Sequence, residues 1–320
     1  MSQSVVGMIL AAGFGTRLRP LTDYRPKAII EIAGKPIIYH QIKMLEQAGI
    51  ENIYINTHYL SDKIIDTVES LEIESNIFWS VEEQILGTAG GMARMLTKFD
   101  IKAAEMLVLN GDMICDIDLA SVLNKNHFCA LICAKDRSLN GYVGGVSVDS
   151  DNHIVELGRF YKNNNQAVAN GFFTGIHVFS SDALDLIKQA SYSCLVSELY
   201  PHWLKNNSQI VGYMIDMAYE DLGSIERLFE ANMAISENPY SYKHLNFAQN
   251  LIKPGLIMGD GVIIDHGAFI GPRVVIGDHV RVGEGAKISN SVIMSDTIIE
   301  KNECLDCVVA LSGARVLVKM

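Results

Sequence analysis

From residue 256 onward, apolar residues return at every sixth position: Leu256, Val262, Ala268, Val274, Val280, Ala286, Val292, Ile298 and Cys304. A second apolar set follows two residues later, at Met258, Ile264, Ile270, Ile276, Val282, Ile288 and Met294. A helix repeats every 3.6 residues and a strand every 2, so a period of six must come from a short strand and a turn repeated as one unit. Three such units close one triangular coil, with the small apolar side chain turned inward. Gly259, Gly271, Gly277 and Gly283 suit the turns, and residues 256–309 hold nine units, or about three coils. Glu300 and Asp306 replace the second apolar set, so the stack is expected to fray or be capped there. Flat faces and an open coil end invite pairing between copies, which predicts a homo-oligomer formed through this segment.

The chain before it speaks a different grammar. Short β-branched runs alternate with helical periodicity over the first 235 or so residues, which predicts an α/β sandwich on a largely parallel sheet. The expected strands are Val5 to Leu10, Ile53 to Thr57, Ile77 to Ser80, Met106 to Leu109 and Ala130 to Ala134. Between the first two, Ile38, Ile42, Leu45 and Ala48 recur at helical spacing, and Gly49 supplies the stop. Further strands are expected at Val143 to Val148, His153 to Gly158 and Phe172 to Phe179, and helices near 181–189, 195–206 and 224–236. The polar segment around Pro239 reads as a linker, giving domains at 1–236 and 256–320 joined by 237–255. Ligands of such sheets bind beyond the carboxyl ends of the strands. The turns after Leu10 and after Leu109 both lie at such ends.

The first of these turns is cationic. Residues 8–36 carry Arg17, Arg19, Arg25, Lys27 and Lys35 against Asp23 and Glu31, a local charge of +3 in a chain of net charge -11. Glycines let the backbone approach an anion whose charge the N–H groups and nearby cations hold, which points to a nucleoside triphosphate. A dinucleotide fingerprint does not fit. Its third glycine is missing, Pro20 and Pro26 break the helix it needs, and the next strand ends in Asn56 and Thr57 rather than an acid. A P-loop is also excluded, because no Gly-Lys-Ser or Gly-Lys-Thr occurs.

Gly13-Phe14-Gly15-Thr16-Arg17-Leu18-Arg19-Pro20-Leu21-Thr22, then Arg25-Pro26-Lys27 and Gly34-Lys35-Pro36, resembles the signature of the sugar-1-phosphate nucleotidylyltransferases, or NDP-sugar pyrophosphorylases. The resemblance extends through most of the chain. It implies a Rossmann-like α/β fold of the nucleotide-diphospho-sugar transferase type, with a mixed, mainly parallel sheet and a short C-terminal left-handed parallel β-helix. It also implies transfer of a nucleoside monophosphate from a triphosphate to a sugar 1-phosphate. Leu10, Ala11, Ala12, Gly13, Gly15, Thr16, Arg17 and Lys27 would hold the nucleotide's phosphates, and Gly87 and Thr88 its base and ribose. Asp112, in Asn110-Gly111-Asp112, matches the family's metal-binding aspartate; a carboxylate facing phosphates needs a divalent cation between them, here Mg²⁺. Tyr219-Glu220-Asp221-Leu222-Gly223-Ser224 resembles Trp-x-Asp-hydrophobic-Gly-Thr and makes Asp221 the second ligand, with Ser224 suited to cap a helix.

Arg17, Lys27 and Asp112 are the expected catalytic residues, acting by charge neutralisation and alignment. For the sugar phosphate the match thins. Asn110 and Gly144 stand at expected places, but Glu-Lys-Pro is missing, leaving Glu156 with Lys162 as substitute, and Asn-Ala-Gly is replaced by Phe173-Thr174-Gly175. The nearest branches are those of mannose-1-phosphate guanylyltransferases and muramate-type uridylyltransferases. They favour GTP with mannose or heptose 1-phosphate, then UTP.

An acidic chain is repelled by polyanions, so nucleic acid is not an expected partner. No run of 18 apolar residues occurs, and the N-terminus has no cation ahead of its apolar stretch, so neither a membrane nor a signal peptide is expected and the location reads as cytoplasmic. Six scattered cysteines read as thiols, and Cys304-x-x-Cys307 lacks the second pair that a zinc site needs. Two rival readings are a pyrophosphorylase-like subunit without activity and a β-helix acyltransferase.

Overall fold

The computed structural model describes residues 4–135, 145–189 and 191–319. The chain divides into two compact units: Met1–Gly13 with Gln41–Ser61 and Glu72–Tyr219, and Phe14–His40 with Asp62–Leu71 and Glu220–Met320.

The first unit is built on a ten-stranded sheet. Its strands are β1 (Val5–Leu10), β2 (Asn52–Thr57), β3 (Asn76–Val81), β4 (Glu105–Asn110), β5 (Cys129–Lys135), β6 (Gly145–Val148), β7 (Ile154–Leu157), β8 (Tyr161–Lys162), β9 (Ala169–Ser180) and β10 (Ile210–Ile215). The order runs β8-β7-β6-β9-β4-β1-β2-β3, with β5 also on β9 and β10 on β5. β4, β1, β2 and β3 are mutually parallel, whereas β9 is antiparallel to β4, β5 and β6. A parallel strand covered on both faces needs an apolar residue at every position, which is what Val-Val-Gly-Met-Ile-Leu supplies. Val6 and Met8 face a core shared with α3 (Gly87–Lys98), α4 (Ser181–Gln189) and α5 (Tyr200–Lys205). Gly7 faces the other way, and its missing side chain lets Leu45 of α1 (Ile37–Gln47) pack onto the strand; α2 (Ser61–Glu69) comes after β2 in the chain.

Most expected strands and helices form within a residue or two of their places, and Gly49 ends α1 in the left-handed region at φ +77°. Three differ. β9 begins at Ala169 rather than Phe172, α3 begins at Gly87 rather than near Met92, and the stretch from 195 opens with a π turn, Leu195–Leu199, before α5. The expected strand start at Val143 lies outside the described residues.

The second unit contains the β-helix. After β11 (Leu251–Lys253) come three coils: β12 (Leu256–Met258), β13 (Ile263–Ile264) and β14 (Phe269–Ile270); β15 (Val274–Ile276), β16 (Arg281–Val282) and β17 (Lys287–Ser289); β18 (Ser291–Ile293), β19 (Ile298–Ile299) and β20 (Cys304–Asp306). β21 (Val308–Leu311) starts a fourth coil, and β22 (Ala314–Leu317) folds back antiparallel upon it.

The six-residue count holds through the first coil and fails at the end of the second. Leu256 lies beside Val274, but Val274 lies beside Ser291, so one residue drops out where Asn290 turns with φ +42°. The inward register therefore shifts. Ile299 and Leu305 fill the third coil's core, while Ile298 and Cys304, expected inside, are exposed. Glu300 and Asp306 are thereby exposed and interrupt nothing. Helix α6 (Ile225–Glu237) lies across β12, β15 and β18 and is capped by Ser224, whose Oγ accepts from Arg227 N at 3.4 Å. Around the expected linker, Tyr242, Leu245 and Phe247 are buried, and Phe247 meets the His40 ring edge-on at 5.0 Å.

Candidate active site

In the first unit the carboxyl ends of β1, β2 and β3 are tied together by polar side chains. Ala11 N donates to Asn56 Oδ1 at 3.0 Å, and Asn56 Nδ2 donates to Glu82 Oε1 at 2.7 Å. The other oxygen of Glu82 accepts from Leu86 N at 3.0 Å. Asn56 and Glu82 are buried, so these bonds run through low dielectric, where a satisfied network rigidifies its surroundings. The chain after β1 is thus tied to the start of α3, which carries Gly87 and Thr88. Gly91 makes the room, because a Cβ there would stand 2.6 Å from Asn56 Nδ2.

The α3 start is fixed from its other side. Gly87 has φ +75°, and an added Cβ would be 2.3 Å from Ser193 O. Ser193 O accepts from Ala89 N at 3.0 Å, and Leu195 N donates to Thr88 Oγ1 at 2.9 Å. A hydroxyl used as an acceptor keeps its own hydrogen to donate.

Asp112 stands on the turn that leaves β4. Gly111 N donates to Leu10 O at 3.0 Å, so this turn touches the end of β1. A Cβ on Gly111 would sit 2.5 Å from that oxygen, and glycine is what permits the approach. Gln41, fully buried on α1, donates its Nε2 to Asn110 O at 2.7 Å and to Met113 O at 3.0 Å, gripping the turn on both sides. Strand β9 breaks register between Phe173 and Ile176, and within that bulge Gly175 (φ +87°) comes against the Asn110 side chain. His177 follows, with Nδ1 2.5 Å from Tyr200 Oη and Nε2 3.5 Å from Asn110 Oδ1. Burial pushes its imidazole down to about pKa 3, so it is neutral.

Of the remaining expected sugar-site residues, Lys162 and Glu156 face one another across β7 and β8 as an ion pair at 3.1 Å. Gly144 lies outside the described residues.

The second unit holds Gly15, Thr16, Arg17, Lys27 and Asp221. Gly15 is left-handed at φ +64°, its carbonyl accepts from Thr22 Oγ1 at 2.9 Å, and a Cβ would be 3.0 Å from Lys27 Cβ. At Gly223 a Cβ would lie 2.7 Å from both Arg17 Nη2 and Asp221 Oδ1. The glycine therefore leaves open a space that the guanidinium and the carboxylate both border. Asp221 Oδ1 accepts from Gly223 N at 2.9 Å, and Oδ2 is paired with Arg227.

The five cations of residues 14–40 separate by role. Arg19 pairs with Asp23 at 3.1 Å, Lys35 with Asp278 at 2.7 Å, and Arg25 with buried Glu31. Glu31 also accepts from Ser295 N at 2.9 Å, so Arg25, Glu31 and Lys35 fasten this segment to the β-helix. Their expected share in an anion cradle is corrected accordingly. Gln41, Glu82 and Arg227 went unread in the sequence, and Asn56 was noted only as a strand end, since the partner each finds is set by the fold and leaves no local pattern.

A family model described as Nucleotidyl transferase matches residues 6–238, and one described as GMPPB C-terminal domain matches residues 252–316. The chain is 30% identical over 268 residues to mannose-1-phosphate guanyltransferase of Candida albicans, spanning 81% of this chain and 71% of that protein. It is 34% identical over 224 residues to the Yarrowia lipolytica protein of the same name, covering 66% and 60%. The bifunctional protein GlmU of Methanocaldococcus jannaschii is 31% identical over 265 residues, covering 82% of this chain and 60% of its own length. Among solved structures, HddC from Yersinia pseudotuberculosis shares the fold, with TM-score 0.60 at 23% identity over 73% of this chain and 99% of that one. Strand ends, glycine turns and sequence likeness agree: this chain belongs to the nucleotidyl transferase family.

Proposed function

We propose that this chain transfers a nucleoside monophosphate from a nucleoside triphosphate to a sugar 1-phosphate and releases pyrophosphate, with GTP and mannose or heptose 1-phosphate as first choice and UTP next. The observation that carries this reading is the Asn110–Asp112 turn, gripped by buried Gln41 against the end of β1, in a chain of this family. The base and sugar preference follows the relatives named mannose-1-phosphate guanyltransferase.

The acceptor phosphate, mostly a dianion near pH 7 because its second pKa is about 6, needs no side-chain base. Its oxygen attacks the α-phosphorus; that P–O bond forms as the bond to the bridging oxygen breaks, and pyrophosphate leaves with the electron pair. The turn of Leu10, Ala11, Ala12, Gly13, Gly15 and Thr16 holds the triphosphate, with Ala11 N itself kept by Asn56, and Gly87 and Thr88 hold the base and ribose. Arg17 and Lys27 offset the charge that develops on the leaving group. Asn110, Gly144, Glu156 and Lys162 orient the sugar phosphate.

Asp112 and Asp221 suit a hard cation, having only oxygen to offer, and Asp221 keeps lone pairs beyond its bonds to Gly223 and Arg227. Mg²⁺ held there would supply the positive charge that lets two phosphates meet. Association of copies through the β-helix belongs to the same reading.

The test is a pyrophosphate-release panel crossing four nucleoside triphosphates with mannose, glucose, N-acetylglucosamine, N-acetylmuramate and heptose 1-phosphates in the presence of Mg²⁺. Release with one pair well above the rest supports the proposal. Silence across the panel from folded protein rejects it in favour of a subunit without activity.

A further inference from the structure

His177 is buried with a polar neighbour at each ring nitrogen, yet no step of the transfer uses it. It lies on β9 opposite Val108 of β4, and positions 108 and 110 share a sheet face, so the imidazole reaches Asn110 diagonally. The ring is clamped, with Phe173 edge-on at 4.7 Å and Phe179 stacked at 5.7 Å. The bulge between Phe173 and Ile176 is pinned as well, because buried Thr174 donates its Oγ1 hydrogen to Ile132 O at 2.8 Å.

A neutral imidazole has one hydrogen for two nitrogens, and here the neighbours choose between them. Tyr200 Oη stands 2.5 Å from Nδ1. The same hydroxyl meets the Cys129 thiol, which burial keeps protonated. Sulfur is a weak acceptor, so the hydroxyl hydrogen goes to Nδ1 and the thiol donates to the phenol oxygen. The imidazole hydrogen is then on Nε2, 3.5 Å from Asn110 Oδ1. A bond this long tightens when a ligand engages the far side of the amide. With Oδ1 held by His177, Asn110 Nδ2 turns its hydrogens elsewhere. That nitrogen has no partner among the described residues, and Asn110 is only half-buried. Gly175 leaves room beside it, since a Cβ there would stand 2.8 Å from Nδ2.

We infer that His177 is a positioning residue for the acceptor: through its Nε2 hydrogen it holds the Asn110 amide in the orientation that presents Nδ2 to an oxygen of the sugar 1-phosphate. The inference rests on the transfer reading above and names the groups that set affinity for one of its two substrates. In that reading the triphosphate is held by the turn after β1 and by Gly87 and Thr88, so loosening Asn110 weakens the acceptor alone.

Two measurements on the full chain test this. Long-range proton–nitrogen NMR spectra of protein with isotope-labelled histidines, in which His177→Phe identifies the signal, should place the hydrogen on Nε2; a hydrogen on Nδ1 overturns the inference. Steady-state pyrophosphate release with the most active pair of the substrate panel supplies the second readout. His177→Phe keeps a ring between Phe173 and Phe179 but cannot donate, so KM for the sugar 1-phosphate should rise about tenfold while KM for the triphosphate stays within about twofold. His177→Gln, whose amide can donate to Asn110, should recover most of that loss. Tyr200→Phe frees the imidazole to change tautomer and should raise the same KM about threefold. An unchanged KM for the sugar 1-phosphate in His177→Phe, an equal rise for both substrates, or a Gln variant as impaired as Phe overturns the inference and leaves the transfer reading intact. A wild type silent across the panel rejects the transfer reading itself, and His177 then has no acceptor to serve.

Discussion

Asp112 and Arg17 owe their places to glycine neighbours, Gly111 and Gly223, that give up side chains to bring charge close to backbone or carboxylate. Neither residue fills a core, so removing its charge should spare the fold. Asp112→Asn and Arg17→Ala are each expected to cut turnover by about a hundredfold or more, by analogy with lost oxyanion donors, with thermal melts within a degree or two of wild type. A near-normal rate for Asp112→Asn at saturating Mg²⁺ would remove the metal assignment. Buried histidines give a second prediction. Burial lowers the imidazole of His177 to about pKa 3 and that of His40 to about 4, well under the unfolded value near 6.5. Between those values the unfolded chain binds more protons, so stability is complete above about pH 6.5 and falls as pH drops towards 4. Each histidine contributes a slope of up to about 1.4 kcal/mol per pH unit. Denaturant midpoints at pH 7 and pH 5 check this, and His177→Gln should flatten the dependence by one proton.

Elements were legible wherever the pattern was long. The β-branched run of β1, the helical spacing of α1 and the repeat itself each announce their type, because burial on two faces, on one stripe or on one corner leaves a distinct period. The slip at Asn290 was hidden, since Val292, Ile298 and Cys304 continue the six-residue count with suitable residues. Only pairing decides which of two adjacent isoleucines turns inward. Ile299→Asp should therefore melt the β-helix at a cost of several kcal/mol, while Ile298→Asp should stay within about 0.5 kcal/mol of wild type. Equal effects on a thermal melt would reject the shifted register.

At the scale of the whole molecule, contacts distant in sequence hold the unit formed by residues 14–40, 62–71 and 220–320 together. Glu31 is buried, and burial raises its pKa against the opposing pull of Arg25 and the Ser295 amide. Arg25→Ala strands that carboxylate and should destabilise the chain by about 3–5 kcal/mol, read from the denaturant midpoint; adding Glu31→Gln should recover part of the loss. Arg25 looked like a phosphate ligand in the sequence because its acid, Glu31, is enclosed only when the chain returns at Ser295, some 264 residues later. Local period and local charge account for the α/β sheet, the coiled repeat and the cationic glycine turn, whereas Asp112 and Asp221 stand out only through resemblance to the family. Long-range packing settles which cations become struts and which buried amides brace the turns. Those outcomes depend on what each polar group meets once water has been excluded, and no local pattern records that.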